Sequence, residues 1–268
     1  MQKPGFSQDS GHFGTAPPEQ AGARIALGVP SLDAALGGGV CGRRLQEVIP
    51  AGIFQLGAAA GFALALSSLS RRQGAVVWIQ QGLAALEGGA PYGPGMELFG
   101  IAPSRLLLVR TATPKDALWA MEESLRCAGV AAAIGELSGA GDAADLTATR
   151  RINLVAEAHG VLPLLLRHQP LAGTSACAAR WRVASAPGRQ DGFGGIGGAG
   201  FLLSLVKNQR GPLGDWHVEW NRDEAIFRTA FPRAVAAPVE NRPHRATGEI
   251  RALGGDSPGW KRAVSHRR

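Results

Sequence analysis

Apolar positions between residues 23 and 230 switch between two rhythms. "AVVWIQ" (75–80), "VAAAIGEL" (130–137) and "VLPLLLRH" (161–168) are continuous apolar runs, as expected of strands buried on both faces. "LQEVI" (45–49) and "RLLLVR" (105–110) are shorter candidates of the same kind. Helical spacing separates them. An apolar helix is predicted over about 57–72, and amphipathic helices over 113–129 and 142–160. For the second helix, Thr113 reads as the cap, Pro114 suits the first turn and Gly129 reads as the stop. For the third, Asp142 reads as the cap and Gly160 as the stop. Strands that alternate with helices imply right-handed crossovers and a parallel sheet. The rhythm then changes. "RWRVASAP" (180–187), "GFLLSLVKNQ" (200–209) and "DWHVEWNRDEAIFRT" (215–229) follow one another through short turns, as antiparallel strands do. The expected fold class is therefore α/β, a mostly parallel twisted sheet with helices on both faces and antiparallel strands at one edge.

The flanks carry no such pattern. Residues 1–22 are polar and rich in Pro and Gly, and 231–268 mix Pro, Gly and Arg, so both are expected to be disordered around a core at 23–230. The net charge of +7 is concentrated in the C-terminal segment. Residues 231–268 hold eight Lys/Arg and three Asp/Glu, whereas 1–230 are nearly balanced. Such a tail suits polyanions or acidic protein surfaces, or it serves solubility alone. No basic-then-apolar leader and no membrane-length apolar run is visible, which gives a cytoplasmic expectation without a membrane. Cys41, Cys127 and Cys177 are widely spaced and read as ordinary buried or half-buried thiols. The six His lack metal-binding spacings, so no metal site is expected.

Candidate chemistry lies in "EVIPAGIFQLGAAAGFALALSSL" (47–69), a strand, a glycine-bearing turn and a helix. That layout can hold a nucleotide phosphate on a helix N-terminus. A working loop needs G-x-x-x-x-G-K-[ST], in which Lys meets the β/γ charge and the hydroxyl holds Mg²⁺. The chain's only lysines are Lys3, Lys115, Lys207 and Lys261, and none lies in the loop. Arg71 and Arg72 sit at the far end of the helix and are expected to point away.

The preceding "IALGVPSLDAALGGGVCGRRLQEVIP" (25–50) resembles the entry to the nucleotide-binding core of RecA-type recombinases, a P-loop NTPase-type fold. "VKN" (206–208) resembles a strand near the end of that core. Set on that pattern without gaps, Leu56 falls at the Lys position and Gly57 at the Ser/Thr position. Glu47, Pro50 and Gly52 then belong to a vestigial nucleotide loop. The acidic residue that polarises water in the resembling family aligns with Gly82. Glu136 is the nearest acid to the metal-side Asp, one residue out of register, and reads as a solvent-facing strand end. Gln169 matches a γ-phosphate sensor and reads as a loop residue. Within the superfamily the chain is similar to the ImuA proteins. These are RecA-like proteins encoded beside a Y-family polymerase homologue and an error-prone replicative polymerase in bacterial damage-inducible mutagenesis cassettes.

That resemblance implies a non-catalytic accessory role in SOS-induced translesion synthesis. Its implied partners are the ImuB-type Y-family polymerase homologue and RecA, with the error-prone polymerase reached indirectly and association with the nucleoid when active. No cofactor is expected, and weak nucleotide binding at the helix N-terminus stays open. An ATP-dependent RecA-like DNA-binding ATPase and a damage-induced cell-division inhibitor are the alternatives. The remaining candidates are less specific. "GRQDGFGGIGGAGF" (188–201) reads as a loop, because a strand and not a helix follows it. "QPLAGTSACAA" (169–179), the counterpart of a DNA-contacting recombinase loop, is short and uncharged, so direct contact with DNA is uncertain. Arg180, Arg182, Lys207 and Arg210 read as a solvated strand face, with a basic partner or nucleic-acid edge as the alternative. Trp78, Trp119, Trp181, Trp216 and Trp220 read as core or sheet-face residues. Trp260, Lys261 and Arg262 form "GWKR", either a docking segment or incidental tail.

Overall fold

A computed structural model describes residues 24–70, 72–139, 144–169, 174–189 and 197–230. The expectations for 1–22 and 231–268, including Trp260, Lys261 and Arg262, lie outside the described residues. Among them nine strands form one sheet in the order β11-β10-β9-β8-β3-β7-β6-β4-β5. The strands are β3 (Gln46–Pro50), β4 (Ala75–Gln81), β5 (Leu106–Thr111), β6 (Val130–Leu137), β7 (Leu162–Arg167), β8 (Ala179–Ala186), β9 (Gly200–Asn208), β10 (Gly214–Asn221) and β11 (Ile226–Thr229). β5, β4, β6, β7, β3 and β8 run parallel, and β9, β10 and β11 continue antiparallel. The chain is thus a RecA-like α/β protein.

Two cores sandwich the sheet, and strand periodicity feeds them alternately. Val76 and Trp78 join the cluster under α2 (Leu56–Leu69), whereas Val77 and Ile79 join the one under α5 (Pro114–Arg126) and α6 (Leu146–His159). α2 is built from small and apolar residues because it lies flat on the sheet. Phe62 projects into an aromatic cluster, 5.3 Å from Trp181, 5.7 Å from Phe227 and 6.3 Å from Phe201. α5 starts at the expected cap, where Thr113 Oγ1 accepts from the Asp116 amide at 3.2 Å. α6 ends at Gly160 in the left-handed region.

The most specific text of the sequence turns out to be scaffold. β1 (Arg24–Ile25) pairs antiparallel with β2 (Val40–Cys41), and α1 (Pro30–Ala35) lies between them. The Asp33 carboxylate accepts from the Leu27 and Gly28 amides at 2.8 and 3.0 Å. Its carbonyl accepts from Gly38 and Gly39. Gly39 has φ 118°, and a Cβ there would lie 2.3 Å from the Ile25 carbonyl oxygen, so only glycine closes this ribbon. Arg24 then caps the turn by donating to Leu36 O and Gly39 O. Leu-Asp and the Gly run therefore serve chain closure.

Several expectations are corrected. β8 is no edge strand; it pairs parallel with β3 and antiparallel with β9, and so joins the two halves of the sheet. The segment 215–229 is two strands, because Asn221 Oδ1 accepts from the Asp223 and Glu224 amides and turns the chain. α6 is capped by Asp145, whose Oδ1 accepts from the Ala148 amide; Asp142 lies outside the described residues. α5 stops at Arg126, three residues before Gly129. Trp119 is 62% exposed on the outer face of α5, and Cys127 is exposed as well. Short helices α3 (Gly82–Gly88) and α4 (Gly93–Glu97) follow β4. Among the described residues no helix is long and apolar enough to cross a membrane.

Candidate functional site

The loop after β3 is stiff and apolar. Pro50 ends the strand, and the Ala51 amide still donates to Val183 O at 2.8 Å. Gly52 leads into a single 3₁₀ turn at Ile53–Gln55. Gln55 Oε1 accepts from both the amide and the hydroxyl of Ser185, at 2.7 and 2.9 Å, which ties the turn to β8. α2 starts at Leu56, so the residues aligned with Lys and Ser/Thr open the helix as Leu56 and Gly57. Leu56 leans on α3; a Cβ at Gly88 would lie 2.9 Å from its Cδ2. Ile53 and Phe54 point outward, 82% and 91% exposed.

A cavity of about 390 Å³ lies between the first turns of α2 and the α3–α4 segment. Leu56, Ala60, Leu64, Trp78 and Phe99 supply apolar walls, and Tyr92 lines it from the α3–α4 link. Among the described residues the lining includes two carboxylates, Glu87 and Glu136, and neither Lys nor Arg. A larger depression of about 680 Å³ lies at the β10–β11 edge, lined by Trp220, Asp223 and Arg228 among others. Phe99 borders both cavities.

Glu136 is buried, which corrects the solvent-facing expectation. Its Oε2 accepts from Trp78 Nε1 at 2.7 Å and Gln80 Nε2 at 2.9 Å. Its Oε1 lies 2.8 Å from His168 Nε2. His168 Nδ1 in turn lies 2.7 Å from Glu87 Oε2, and Ser138 Oγ donates to the same oxygen. Both ring nitrogens thus face carboxylate oxygens, an arrangement that suits imidazolium. Burial alone would lower the His168 pKa, but the hydrogen bonds and charges of Glu136 and Glu87 outweigh it and hold the value above the ordinary 6.5. Glu87 is lowered, first by the Ser138 hydroxyl and then by His168. With both oxygens engaged, Glu136 is a strut between strand ends, and the three groups clasp α3 onto the sheet. Among the described residues no cluster of three or more His, Cys, Asp or Glu has metal-binding geometry.

The other sequence candidates are dispersed. Glu47 does not face the loop. It is fully buried, with Oε2 2.6 Å from Arg180 Nε and Oε1 3.4 Å from Arg167 Nη2. Burial alone would raise its pKa, but the two guanidiniums hold it below the ordinary 4.5. Arg180 is therefore consumed in a structural ion pair, which removes it from a solvated face or basic edge. Lys207, opposite Arg180 on β9, donates to Ser175 O. Arg182 and Arg210 are exposed. Gly82 opens α3, and Gln169 sits exposed at a bend after β7. Arg72 is used at the other end of α2, where it donates to His159 O and Gly160 O. Sequence reasoning missed His168, Glu87 and Gln80 as a unit; the only signal was the acid at 136 beside a strand that ends in His.

Over 208 residues the chain is 32% identical to Protein ImuA of Caulobacter vibrioides (strain NA1000 / CB15N), an overlap of 72% of this chain and 81% of that protein. Protein ImuA of Caulobacter vibrioides (strain ATCC 19089 / CIP 103742 / CB 15) gives the same values. Among solved structures the RadB recombinase superposes with a TM-score of 0.51 at 14% identity, over 77% of this chain and all of that one. No family model matches.

Proposed function

The chain belongs to the ImuA family, and on that premise we propose that it is a non-catalytic accessory protein of damage-induced mutagenesis, acting by docking to other proteins. One observation carries the reading. Where a RecA-like fold would seat a triphosphate, this chain has Leu56, Gly57 and a cavity whose only charged lining groups among the described residues are Glu87 and Glu136, with His168 behind them. Positive charge aimed at the phosphates is usually the largest catalytic contribution in such sites. Two carboxylates in its place repel the substrate. The N-terminal amides of α2 remain as a weak anion site.

The partners that fit this role are the Y-family polymerase homologue of the mutagenesis cassette and RecA, with the error-prone polymerase recruited through them. Co-purification of the full chain with each candidate is the direct test. Binding to the polymerase homologue or RecA, together with no phosphate release from ATP with or without single-stranded DNA, is the expected result. Steady hydrolysis would replace this reading with that of a RecA-like ATPase. Filamentation of cells on overexpression, without any binding to those partners, would favour a division inhibitor.

A further inference from the structure

We infer that the vacated nucleotide site is the docking pocket itself, and that it takes an apolar side chain of a partner protein carried on a segment with flanking Lys or Arg. This rests on the docking role proposed above and names its surface. Three observations lead to it. The first is the rim. Ile53 and Phe54 are almost fully exposed, and Tyr92 is 73% exposed at the same cavity. Large apolar side chains left in water forgo stabilisation that burial against a partner would return. Ile53 and Phe54 sit on a turn that Gln55 ties to Ser185, which pre-orders that side of the rim.

The second observation is the volume. About 390 Å³ falls within the range of cavities that accept a small ligand or an anchoring side chain. Its walls are Leu56, Ala60, Leu64 and Phe99, with Trp78 at its base. The third is charge. Glu87 and Glu136 line the pocket, the single imidazole of His168 stands between them, and among the described residues no Lys or Arg lines it. The pocket is net anionic, so it opposes phosphate and favours a cation beside the buried apolar group. A nucleotide and an acidic segment are both disfavoured by the same charge.

The test uses the full chain and two fluorescein-labelled octapeptides, each with a central Leu-Trp pair, one flanked by lysines and its twin by glutamates. Fluorescence anisotropy should show the lysine-flanked peptide binding at least tenfold tighter than the twin. Ile53→Asp on the exposed rim and Gly57→Phe in the cavity should each weaken it by roughly thirtyfold, the scale of a lost anchor contact. Both variants should fold, since Ile53 makes little contact and a Cβ on Gly57 meets nothing within 4 Å. Equal affinity for the twins, or unchanged affinity in both variants, overturns the inference. The same variants are then titrated with the polymerase homologue. Binding that they leave intact sinks the pocket while sparing the docking role. Absence of that binding sinks the docking role, and the peptide arm still judges the pocket.

Discussion

Removing the Glu47 carboxylate should be among the most damaging single substitutions in this fold, because both of its oxygens meet guanidinium groups in the interior. In Glu47→Ala, among the described residues Arg167 keeps only the Ala144 carbonyl at 3.0 Å, and Arg180 only the Ser175 hydroxyl at 3.2 Å. Arg167 is 5% exposed and its Nε has no hydrogen-bond partner among the described residues, so little water can replace the carboxylate. Stranding a buried charge costs about 3–5 kcal/mol. For a domain of this size that is a fall in Tm of roughly 6–20 °C. Arg180→Ala should cost less, about 1.5–3 kcal/mol, because Arg180 is the more exposed partner and Arg167 still neutralises Glu47. Urea denaturation with a common m-value measures both. A further variant, Glu47→Leu with Arg167→Met and Arg180→Met, should recover most of the loss, since it removes charge and partners together. The pH dependence gives an independent sign. Glu47 is held below 4.5 in the fold, so its contribution is full above 4.5 and disappears as pH falls through the lowered value. Glu47→Ala should flatten that acid limb. A loss under about 1 kcal/mol, or an Arg180→Ala as damaging as Glu47→Ala, would mean that the pair is solvated and the reasoning wrong.

The His168 clasp has the opposite sign: its pKa is raised, so its stabilisation is full below 6.5 and fades as pH rises through the elevated value. Amide protection in α3, taken relative to the intrinsic base-catalysed exchange rate, should therefore fall above neutral pH, and His168→Asn should be weakly protected at every pH. A pH-independent α3 in the unsubstituted chain would refute the clasp. Millimolar Mg-ATP should raise Tm by less than about 1 °C, the result expected when the ligand is far below its dissociation constant. A shift of several degrees in thermal denaturation would show a functioning nucleotide site. Gly39→Ala should destabilise by more than about 1 kcal/mol, because it adds a contact at 2.3 Å to a backbone at φ 118°, and denaturant midpoints would show it. A neutral result would mean that the ribbon of β1 and β2 rearranges.

The candidate site was half legible. The absent lysine, and Leu56 and Gly57 in place of Lys and Ser/Thr, can be read directly from residues 47–69. Glu136 was visible as an acid but misplaced at the surface, because continuous burial of "VAAAIGEL" gives no alternation from which to tell its side. Its fate depended on Trp78 and Gln80 on β4 and on His168 after β7. Arg180 looked like a free cation because its partner, Glu47, stands 133 positions earlier.

The amino-acid order alone determined the kinds of element, the parallel half of the sheet, the antiparallel half and the absence of lysine from residues 47–69. Each of these is written within one segment, as a period, a cap or a missing residue type. Only the tertiary structure decided that β8 joins β3, that α3 is clasped by an imidazole 81 positions from Glu87, and that Ile53 and Phe54 face water. Those facts arise from pairings between distant segments, and local propensity carries no term for a neighbour it has not yet met.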